Sequence, residues 1–291
     1  AGDAADGLAR HSDGQKLSNG RLGDNQMYDF NYQKPSSVAD AVNAMKAASD
    51  GKVLAGGQTL LPTMKQRLAS PSDVVDLAGC GDLSGISASG GSVTIGAMCT
   101  HAAVAGSSDV KGAIPALAAM AGDIGDPAVR ARGTIGGSIA NNDPAADYPA
   151  ACVALGATIK TDRREISADD FFTGLFDTAL AEDEIIVSVS FPAASKAAYE
   201  KFKQPASRFA LVGVFVAQGS GGARVAVTGA GENGVFRVSA MESALSGNFS
   251  AGALDGASVS ADGLNSDIHA QADYRAHLVG VLAKRAVAAA G

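Results

Sequence analysis

Two pairs of adjacent glycines, each set in a run of small and polar residues, constrain the fold and function of this chain most strongly. The first run is Ala55-Gly56-Gly57-Gln58-Thr59, and the second is Thr134-Ile135-Gly136-Gly137-Ser138. Because glycine has no Cβ, its backbone can turn tightly and bring N–H groups within reach of a phosphate. Two such runs therefore predict a site for a ligand that carries two adjacent phosphates.

The first glycine run also has a simpler interpretation. It follows a predicted buried strand over residues 52–55 and precedes a predicted short helix over residues 60–68. A helix N-terminus presents unpaired N–H groups and the positive end of the helix dipole, which together favour an anion. An ordinary turn between a strand and a helix explains the same pattern, so this run alone leaves both interpretations open.

The second glycine run lies in a long predicted loop, residues 130–149, which mixes glycine with hydroxyl, amide and carboxylate side chains. A carboxylate in this loop can accept hydrogen bonds from the hydroxyls of a ribose or ribityl group. Alternatively, Asp147 caps the following helix and Asn142-Asp143-Pro144 forms a turn. A third interpretation is calcium ligation by Asn141, Asn142, Asp143 and Asp147. The spacing of these residues matches no standard calcium loop.

Composition excludes several classes of protein. With 46% hydrophobic and 18% charged residues among 291, the chain is predicted to be globular, with one large domain or two to three smaller ones. A net charge of −7 argues against a nucleic acid or an anionic membrane surface as a partner. There is also no run of about 20 apolar residues of the kind that spans a membrane.

The cysteines and the first residues of the chain bear on its cellular setting. The chain has an odd number of cysteines, Cys80, Cys99 and Cys152, and none of them has Cys-x-x-Cys spacing. The sequence therefore predicts no disulfide framework, no zinc site and no iron–sulfur cluster within this chain, and a reducing cytoplasmic setting. Residues 1–26 are polar without a periodic pattern, so we interpret them as a flexible or expression-derived extension and expect the natural start at Met27.

Local patterns predict a mixed α and β chain. Ser37 and Asp40 have the spacing of a helix capping box, and Gly90-Gly91 separates two runs typical of a hairpin. Predicted helices cover residues 37–50, 60–68, 113–121, 148–155, 239–245 and 274–289. Predicted strands cover residues 52–55, 74–77, 84–89, 92–98, 157–161, 184–191, 199–203, 209–218 and 224–229. Strands and helices alternate at first and strands precede helices later, which indicates at least two domains.

Two further patterns have plain interpretations. The run Gly229-Ala230-Gly231-Glu232-Asn233-Gly234 fits the dinucleotide fingerprint, but residues 235–238 look extended rather than helical, so we predict a turn. Of the four histidines, His101 lies close to a strand end and is the one candidate for a base; we interpret it as a surface or capping residue. The others are His11, His269 and His277.

Longer segments around both glycine runs resemble one protein family. Residues 54–71 and 133–149 are similar to the two signature segments of the FAD-binding medium subunit of the molybdenum hydroxylases, the group that includes xanthine dehydrogenase and aerobic carbon monoxide dehydrogenase. The similarity extends from Met27 through the C-terminal helix and includes Tyr199-Glu200-Lys201-Phe202-Lys203 and Ala272-Asp273-Tyr274-Arg275. It is greatest with the carbon monoxide dehydrogenase branch.

The resemblance implies an α+β fold. Residues 27–194 are expected to form the two-subdomain FAD-binding fold of the vanillyl-alcohol-oxidase (PCMH) type, with subdomains at about 27–80 and 81–194. A small α/β C-terminal domain is expected at 195–291.

The resemblance also implies a set of FAD-binding residues. Residues 53–59, with Thr134, Gly136 and Gly137, would hold the pyrophosphate, and Asp147 would hold ribityl or ribose hydroxyls. Ile124 and Ile186 would pack on the cofactor, Lys203 would lie near the isoalloxazine, and Phe209 stands where relatives can carry a tyrosine. Ser138 stands where relatives often carry asparagine. The full expected set is Val53, Leu54, Ala55, Gly56, Gly57, Gln58, Thr59, Leu60, Ile124, Gly125, Thr134, Gly136, Gly137, Ser138, Asp147, Ile186, Lys203 and Phe209, with no catalytic acid or base and no metal ligand.

By the same resemblance, the chain carries FAD and passes electrons from iron–sulfur clusters to an external acceptor. The expected partners are a large molybdenum-binding subunit and a small 2Fe-2S subunit, assembled as a dimer of heterotrimers. The complex is expected in the cytoplasm or at the inner face of the membrane. Two rival functions stay open: a stand-alone FAD oxidase or reductase acting on a small substrate, and a nucleotide-binding structural subunit without redox turnover.

Overall fold

The computed structural model describes residues 27–290, so the predicted extension over residues 1–26 lies outside the described residues. The strands are β1 (Asn31–Gln33), β2 (Gly51–Leu54), β3 (Asp73–Asp76), β4 (Ile86–Ser89), β5 (Ser92–Gly96), β6 (Thr158–Thr161), β7 (Glu165–Ser167), β8 (Phe172–Gly174), β9 (Asp177–Thr178), β10 (Ile186–Pro192), β11 (Lys196–Lys203), β12 (Ala210–Gly219), β13 (Gly222–Thr228) and β14 (Phe236–Arg237). The helices are α1 (Val38–Ala47), α2 (Leu60–Lys65), α3 (His101–Gly106), α4 (Ser108–Ala113), α5 (Pro115–Gly122), α6 (Pro127–Arg132), α7 (Ile135–Asn141), α8 (Tyr148–Leu155), α9 (Ala168–Phe171), α10 (Ser239–Gly247) and α11 (Ala272–Ala289).

A three-stranded parallel sheet in the order β1-β3-β2 opens the described part of the chain. Helix α1 packs on it through Ala41, Val42 and Met45. The Ser37 Oγ accepts a hydrogen bond from the Asp40 N–H at 3.1 Å, which confirms the predicted capping box. The first glycine run follows β2, the edge strand of this sheet, and leads into α2.

A five-stranded antiparallel sheet follows, in the order β4-β5-β10-β6-β7. The predicted hairpin of β4 and β5 is confirmed, and Gly90 and Gly91 at its turn both have left-handed φ angles. The helix predicted over residues 113–121 is confirmed as α5, which begins two residues later, whereas α4 directly before it was not predicted. Pro115 lacks an N–H group and disfavours helical backbone at Ile114, so one helix ends there and the next begins.

The long loop predicted over residues 130–149 is largely helical. Asp126 accepts a hydrogen bond from the Val129 N–H at 2.8 Å, and Thr134 Oγ1 accepts one from the Gly137 N–H at 3.1 Å. These two caps stabilise the first turns of α6 and α7, because each side chain accepts a hydrogen bond from a backbone N–H that has no partner within the helix. The loop prediction was wrong there, and Gly136 and Gly137 lie in the first turn of a helix.

A second antiparallel sheet, β11-β12-β13-β14, forms the last part of the chain. Helices α10 and α11 cover one of its faces, and α8 contacts β12 and β13. Phe215, Ala217 and Ala226 of this sheet are buried in the same hydrophobic cluster as α8. The fingerprint-like run at 229–234 is a turn that leads into β14, as predicted.

Two remaining expectations concern disulfides and membrane spans. Cys80, Cys99 and Cys152 are free and buried. Over residues 27–290, the helices lack the combination of length and apolarity that crossing a bilayer requires.

Candidate functional site

A cavity of about 680 Å³ lies where the first sheet, helices α6 and α7 and the turn before β12 meet. Its size is in the range that holds a bound cofactor. Sixteen of the expected site residues line it: Val53, Ala55, Gly56, Gly57, Gln58, Thr59, Leu60, Ile124, Gly125, Thr134, Gly136, Gly137, Ser138, Asp147, Ile186 and Phe209. Leu54 and Lys203 are not among the lining residues.

The two glycine runs meet at the wall of this cavity. A Cβ on Gly56 would overlap the carbonyl oxygen of Arg132 and would lie 2.8 Å from the Gly133 Cα. Gly57 has φ +71°, a conformation that favours glycine. Gly56 therefore permits the close approach of the two runs, and Gly57 permits the turn.

The first glycine run presents unpaired hydrogen-bond donors. Among the described residues, the backbone N–H groups of Gly56, Gly57 and Gln58 have no hydrogen-bond partner in the protein. All three residues line the cavity. Three successive N–H groups of this kind suit an anionic group such as a phosphate.

In the second glycine run, by contrast, backbone N–H groups already have hydrogen-bond partners in the protein. The Gly136 N–H donates to the Ala97 carbonyl at 2.9 Å and the Ile135 N–H donates to the Cys99 carbonyl at 3.0 Å. A Cβ on Gly136 would also lie 2.7 Å from the Ala97 Cβ. The expectation that the amides of both runs stand ready for a ligand is therefore wrong for Gly136, whose amide attaches α7 to the segment after β5.

Asp147 is held by two side chains from the C-terminal sheet. Its carboxylate accepts a hydrogen bond from the Tyr199 hydroxyl and contacts the Lys201 Nζ, at 3.0 Å from Oδ1 and 3.1 Å from Oδ2. Burial raises the pKa of the Asp147 carboxyl, and the Lys201 ammonium opposes that rise. Asp147 makes no side-chain hydrogen bond to the start of α8, so the capping interpretation was wrong.

Sequence reasoning named Lys203 and missed Tyr199 and Lys201. Lys203 is half-exposed outside the cavity and forms an ion pair with Asp123. Lys201 is buried, and its Nζ also donates to the Asp123 carbonyl at 3.2 Å. Alternate residues of a strand share a face, so the pattern Tyr199-x-Lys201 is the sequence signal that could have found these two side chains.

The hydrophobic positions of the expected set lie in the cavity wall. Ile124 and Ile186 are buried, whereas Phe209 is half-exposed. The Arg130 Nη1 donates to the carbonyls of Ile124 and Gly125, both at 3.1 Å. This guanidinium fixes the turn that carries Ile124 against the cavity.

His101 is buried in the cavity wall, so its interpretation as a surface residue was wrong. Its backbone N–H donates to the carbonyl of Gly133 at 2.9 Å, which holds His101 next to the start of the second glycine run. Burial, with a smaller contribution from Arg130, lowers the pKa of His101 to about 4. The imidazole is therefore neutral near pH 7.

Glu184 at the start of β10 is a further lining residue that sequence reasoning missed. Arg164 donates to it from Nε at 2.9 Å and from Nη2 at 2.8 Å. Thr161 Oγ1 and the Ala181 N–H donate to it as well. The Arg164 hydrogen bonds lower the pKa of Glu184 to about 2. Its charge is fully paired, so its role is to fix the backbone that carries Ile186.

Metal chemistry has no structural basis at this site. Over residues 27–290, histidine, cysteine and carboxylate side chains form no group of three or more that could hold a metal ion. The lining includes side-chain donors such as Lys52 and Arg208 beside the backbone amides of the first glycine run, and most of the wall is glycine and aliphatic residues. This arrangement suits an organic ligand with phosphate groups and large apolar rings.

Comparison with protein families identifies the first part of the chain. Residues 28–194 match the family described as the FAD-binding domain in molybdopterin dehydrogenase. The medium subunit of nicotine 6-hydroxylase from Paenarthrobacter nicotinovorans is 35% identical over 273 residues, which cover 89% of this chain and 96% of that protein. The carbon monoxide dehydrogenase medium chain of Hydrogenophaga pseudoflava is 36% identical over 277 residues, or 90% and 96% of the two chains.

Solved structures agree with this assignment. A chain of the Hydrogenophaga pseudoflava carbon monoxide dehydrogenase that lacks the Mo-pyranopterin moiety matches with a TM-score of 0.80 and 37% identity, covering 90% of this chain and 96% of that one. A chain of quinoline 2-oxidoreductase from Pseudomonas putida 86 matches with a TM-score of 0.82 and 29% identity, covering 91% and 98%.

We expect Gly56→Ala to destabilise the protein by about 1–3 kcal/mol, because the added methyl group forces the two glycine runs apart. Chemical denaturation of the purified variant measures this free energy of unfolding. Gly106→Ala is the control, because Gly106 is exposed in a helix and a Cβ there meets nothing within 4 Å. Equal stability of Gly56→Ala and wild type would contradict the close approach.

We expect Glu184→Gln to lower the free energy of unfolding at pH 7 and to reduce its loss in acid. The folded-state pKa of Glu184 is about 2 against an ordinary value of 4.5, so its stabilising contribution is complete above pH 4.5 and disappears as the pH falls toward 2. Denaturation curves across this pH range test the expectation, with the exposed Glu182→Gln as control. Parallel pH profiles for wild type and Glu184→Gln would refute it.

Proposed function

The chain belongs to the family of FAD-binding domains of molybdopterin dehydrogenases, and from this premise we propose that the cavity at its two glycine runs binds FAD. The function of the chain is that of an FAD-carrying electron-transfer subunit of a molybdenum hydroxylase, an oxidoreductase complex. FAD, when bound, supplies the capacity to take up and release electrons. The protein supplies the binding site and the positions of the groups around it.

One observation supports the location of the cofactor most directly. Within residues 27–290, the N–H groups of Gly56, Gly57 and Gln58 are without a hydrogen-bond partner, and the three residues line a cavity of about 680 Å³. Gly56 and Gly57 are half-buried and Gln58 is exposed, so the three donors are accessible to a ligand, and a pyrophosphate supplies acceptors for them. A Cβ at Gly56 would meet Arg132 and one at Gly57 would meet Leu61, so glycine at both positions keeps the tight turn that presents these donors. The residues present therefore fit FAD.

The remaining expected residues are assigned to other parts of the same ligand. Ile124 and Ile186 offer buried aliphatic surface to its rings, and Asp147 offers carboxylate oxygens to its hydroxyl groups. Phe209 offers an aromatic face at the exposed side of the cavity. Lys203, which pairs with Asp123 outside the cavity, contributes charge at that side rather than a direct contact.

We assign no substrate-transforming acid or base to this chain. His101 is the one described histidine in the cavity wall, and its pKa of about 4 leaves it neutral near pH 7. Oxidation of the substrate is therefore assigned to partner subunits that carry molybdenum and 2Fe-2S clusters, and the relatives are themselves subunits of such multi-subunit enzymes. We further assign the complex to the cytoplasm and to a dimer of heterotrimers.

For the substrate, we propose carbon monoxide. The medium chains of two carbon monoxide dehydrogenases are 36% and 35% identical to this chain over 90% and 89% of its length. The nicotine 6-hydroxylase medium subunit is as similar, so N-heterocycles are the alternative substrate class.

Native purification with identification of co-purifying chains, metals and flavin tests the proposed function. We expect two further chains, molybdenum, iron and FAD, and we expect carbon monoxide to bleach the flavin absorption only when the partners are present. Dithionite should bleach the flavin of the isolated subunit. A flavin monomer that turns over a small substrate alone would contradict the proposal, and bleaching by nicotine or quinoline but not by carbon monoxide would overturn the substrate.

We expect Gly57→Val to lose most of its FAD, because a side chain at φ +71° strains the turn and its Cβ would lie 2.8 Å from the Leu61 Cδ1. The measurement is the ratio of flavin to protein absorbance after purification. Gly90→Val is the matched control, since Gly90 also has a left-handed φ of +59° but meets nothing within 4 Å in the β4–β5 hairpin. Normal FAD content in Gly57→Val would refute the role of this loop.

A further inference from the structure

The loop that carries Asp147 is attached to the C-terminal sheet at four points. Two of them are side chains of β11, Tyr199 and Lys201, which both contact the Asp147 carboxylate. The other two come from the end of β13. The Thr228 hydroxyl donates to the Ala146 carbonyl at 2.6 Å, with the Pro144 carbonyl oxygen 3.0 Å from its Oγ1, and the Gly229 N–H donates to the Pro144 carbonyl at 2.7 Å.

These attachments come from outside the segment that matches the FAD-binding family, which ends at residue 194. Asp147 itself lies inside that segment and lines the cavity. The position of one cavity-lining carboxylate is thus determined by residues 52 and 54 positions further along the chain.

The geometry around Tyr199 indicates that this contact is built into the sheet. Gly213 of β12 lies under the Tyr199 ring, and a Cβ at Gly213 would overlap the Tyr199 hydroxyl. Because Gly213 has no side chain, the Tyr199 hydroxyl has the space it needs to reach the Asp147 carboxylate. Phe215, the strand partner of Tyr199, stacks on its ring with a centroid distance of 5.9 Å.

Lys201 completes the arrangement. Its side chain is 1% exposed, and its Nζ lies between the Asp147 carboxylate and Asp123, whose carbonyl accepts from it at 3.2 Å. Asp123 directly precedes Ile124, a second lining residue. A single buried ammonium therefore connects two stretches of the cavity wall.

We propose that Lys201 and Tyr199 are positioning residues for the cofactor site, which hold the Asp147 carboxylate in place so that FAD affinity depends on strand β11. This inference rests on the proposed FAD site. Neither residue lines the cavity, so both act through Asp147. A buried carboxylate without these partners would turn toward other donors or take up a proton, and either change removes an acceptor from the site.

The test is a double-mutant cycle on FAD affinity, measured by fluorescence titration of the full chain in its complex after FAD has been removed. We expect Lys201→Met to raise the Kd for FAD at least tenfold and Tyr199→Phe at least threefold. In an Asp147→Asn background, Lys201→Met should change the Kd less than threefold, because its effect passes through Asp147.

Arg224→Met is the matched control. Arg224 of β13 forms an ion pair with Asp169 of α9, so it also connects the C-terminal sheet to the preceding part of the chain, but neither residue lines the cavity. We expect its Kd for FAD to stay within twofold of wild type, whatever happens to thermal stability. If Lys201→Met does not fold, Tyr199→Phe, which removes one oxygen atom, carries the cycle.

The outcomes separate this inference from the proposed function. Wild type that binds no FAD contradicts the proposed function and this inference with it. Wild type that binds FAD, together with unchanged affinity in Lys201→Met and Tyr199→Phe, overturns the positioning role alone. Equal losses of FAD affinity in Lys201→Met and Arg224→Met would also overturn it. So would a double variant whose Kd for FAD rises by the product of the increases in Lys201→Met and Asp147→Asn.

Discussion

The backbone contact between Gly56 and Arg132 is the constraint on which the rest of the site depends. It joins the edge of the parallel sheet to the connection between α6 and α7, two parts of the chain that are far apart in sequence. No side chain other than hydrogen fits at Gly56, so the two segments approach as closely as backbone allows. Gly56 and Gly133 both line the cavity, so this contact forms part of its wall and holds the unpaired amides of the first run there.

The two glycine pairs look alike in sequence but do different physical work. In the first run, Gly57 makes a left-handed turn, and the adjacent amides have no partner in the part of the chain that the structure describes. In the second run, Gly136 allows a helix to lie against Ala97, and its amide is consumed by that contact. One glycine pair presents donors, and the other brings two elements together. The pyrophosphate of FAD is therefore expected to interact mainly with the first.

One buried ion pair lies where the C-terminal sheet meets the cavity wall. Removing one partner of a buried ion pair typically costs about 3–5 kcal/mol, because the other charge stays buried without compensation. The Lys201–Asp147 pair is such a case, with both side chains almost fully buried. Such a pair contributes little net stability compared with apolar packing, but it strongly favours a single arrangement of the loop at 144–147.

The family resemblance predicted the α+β class and the FAD-binding fold of the vanillyl-alcohol-oxidase type, and local signals predicted element ends at Ser37, Gly90-Gly91 and the helix from Tyr148 to Leu155. The partners of Asp147, the burial of His101 and the set of unpaired amides became evident only in the folded chain. The difference is one of range, because a cap or a hairpin turn is formed by neighbours within a few residues. The groups that hydrogen-bond or bury a side chain such as Asp147 belong to distant strands, so the residues next to it in the sequence do not indicate which donor contacts it.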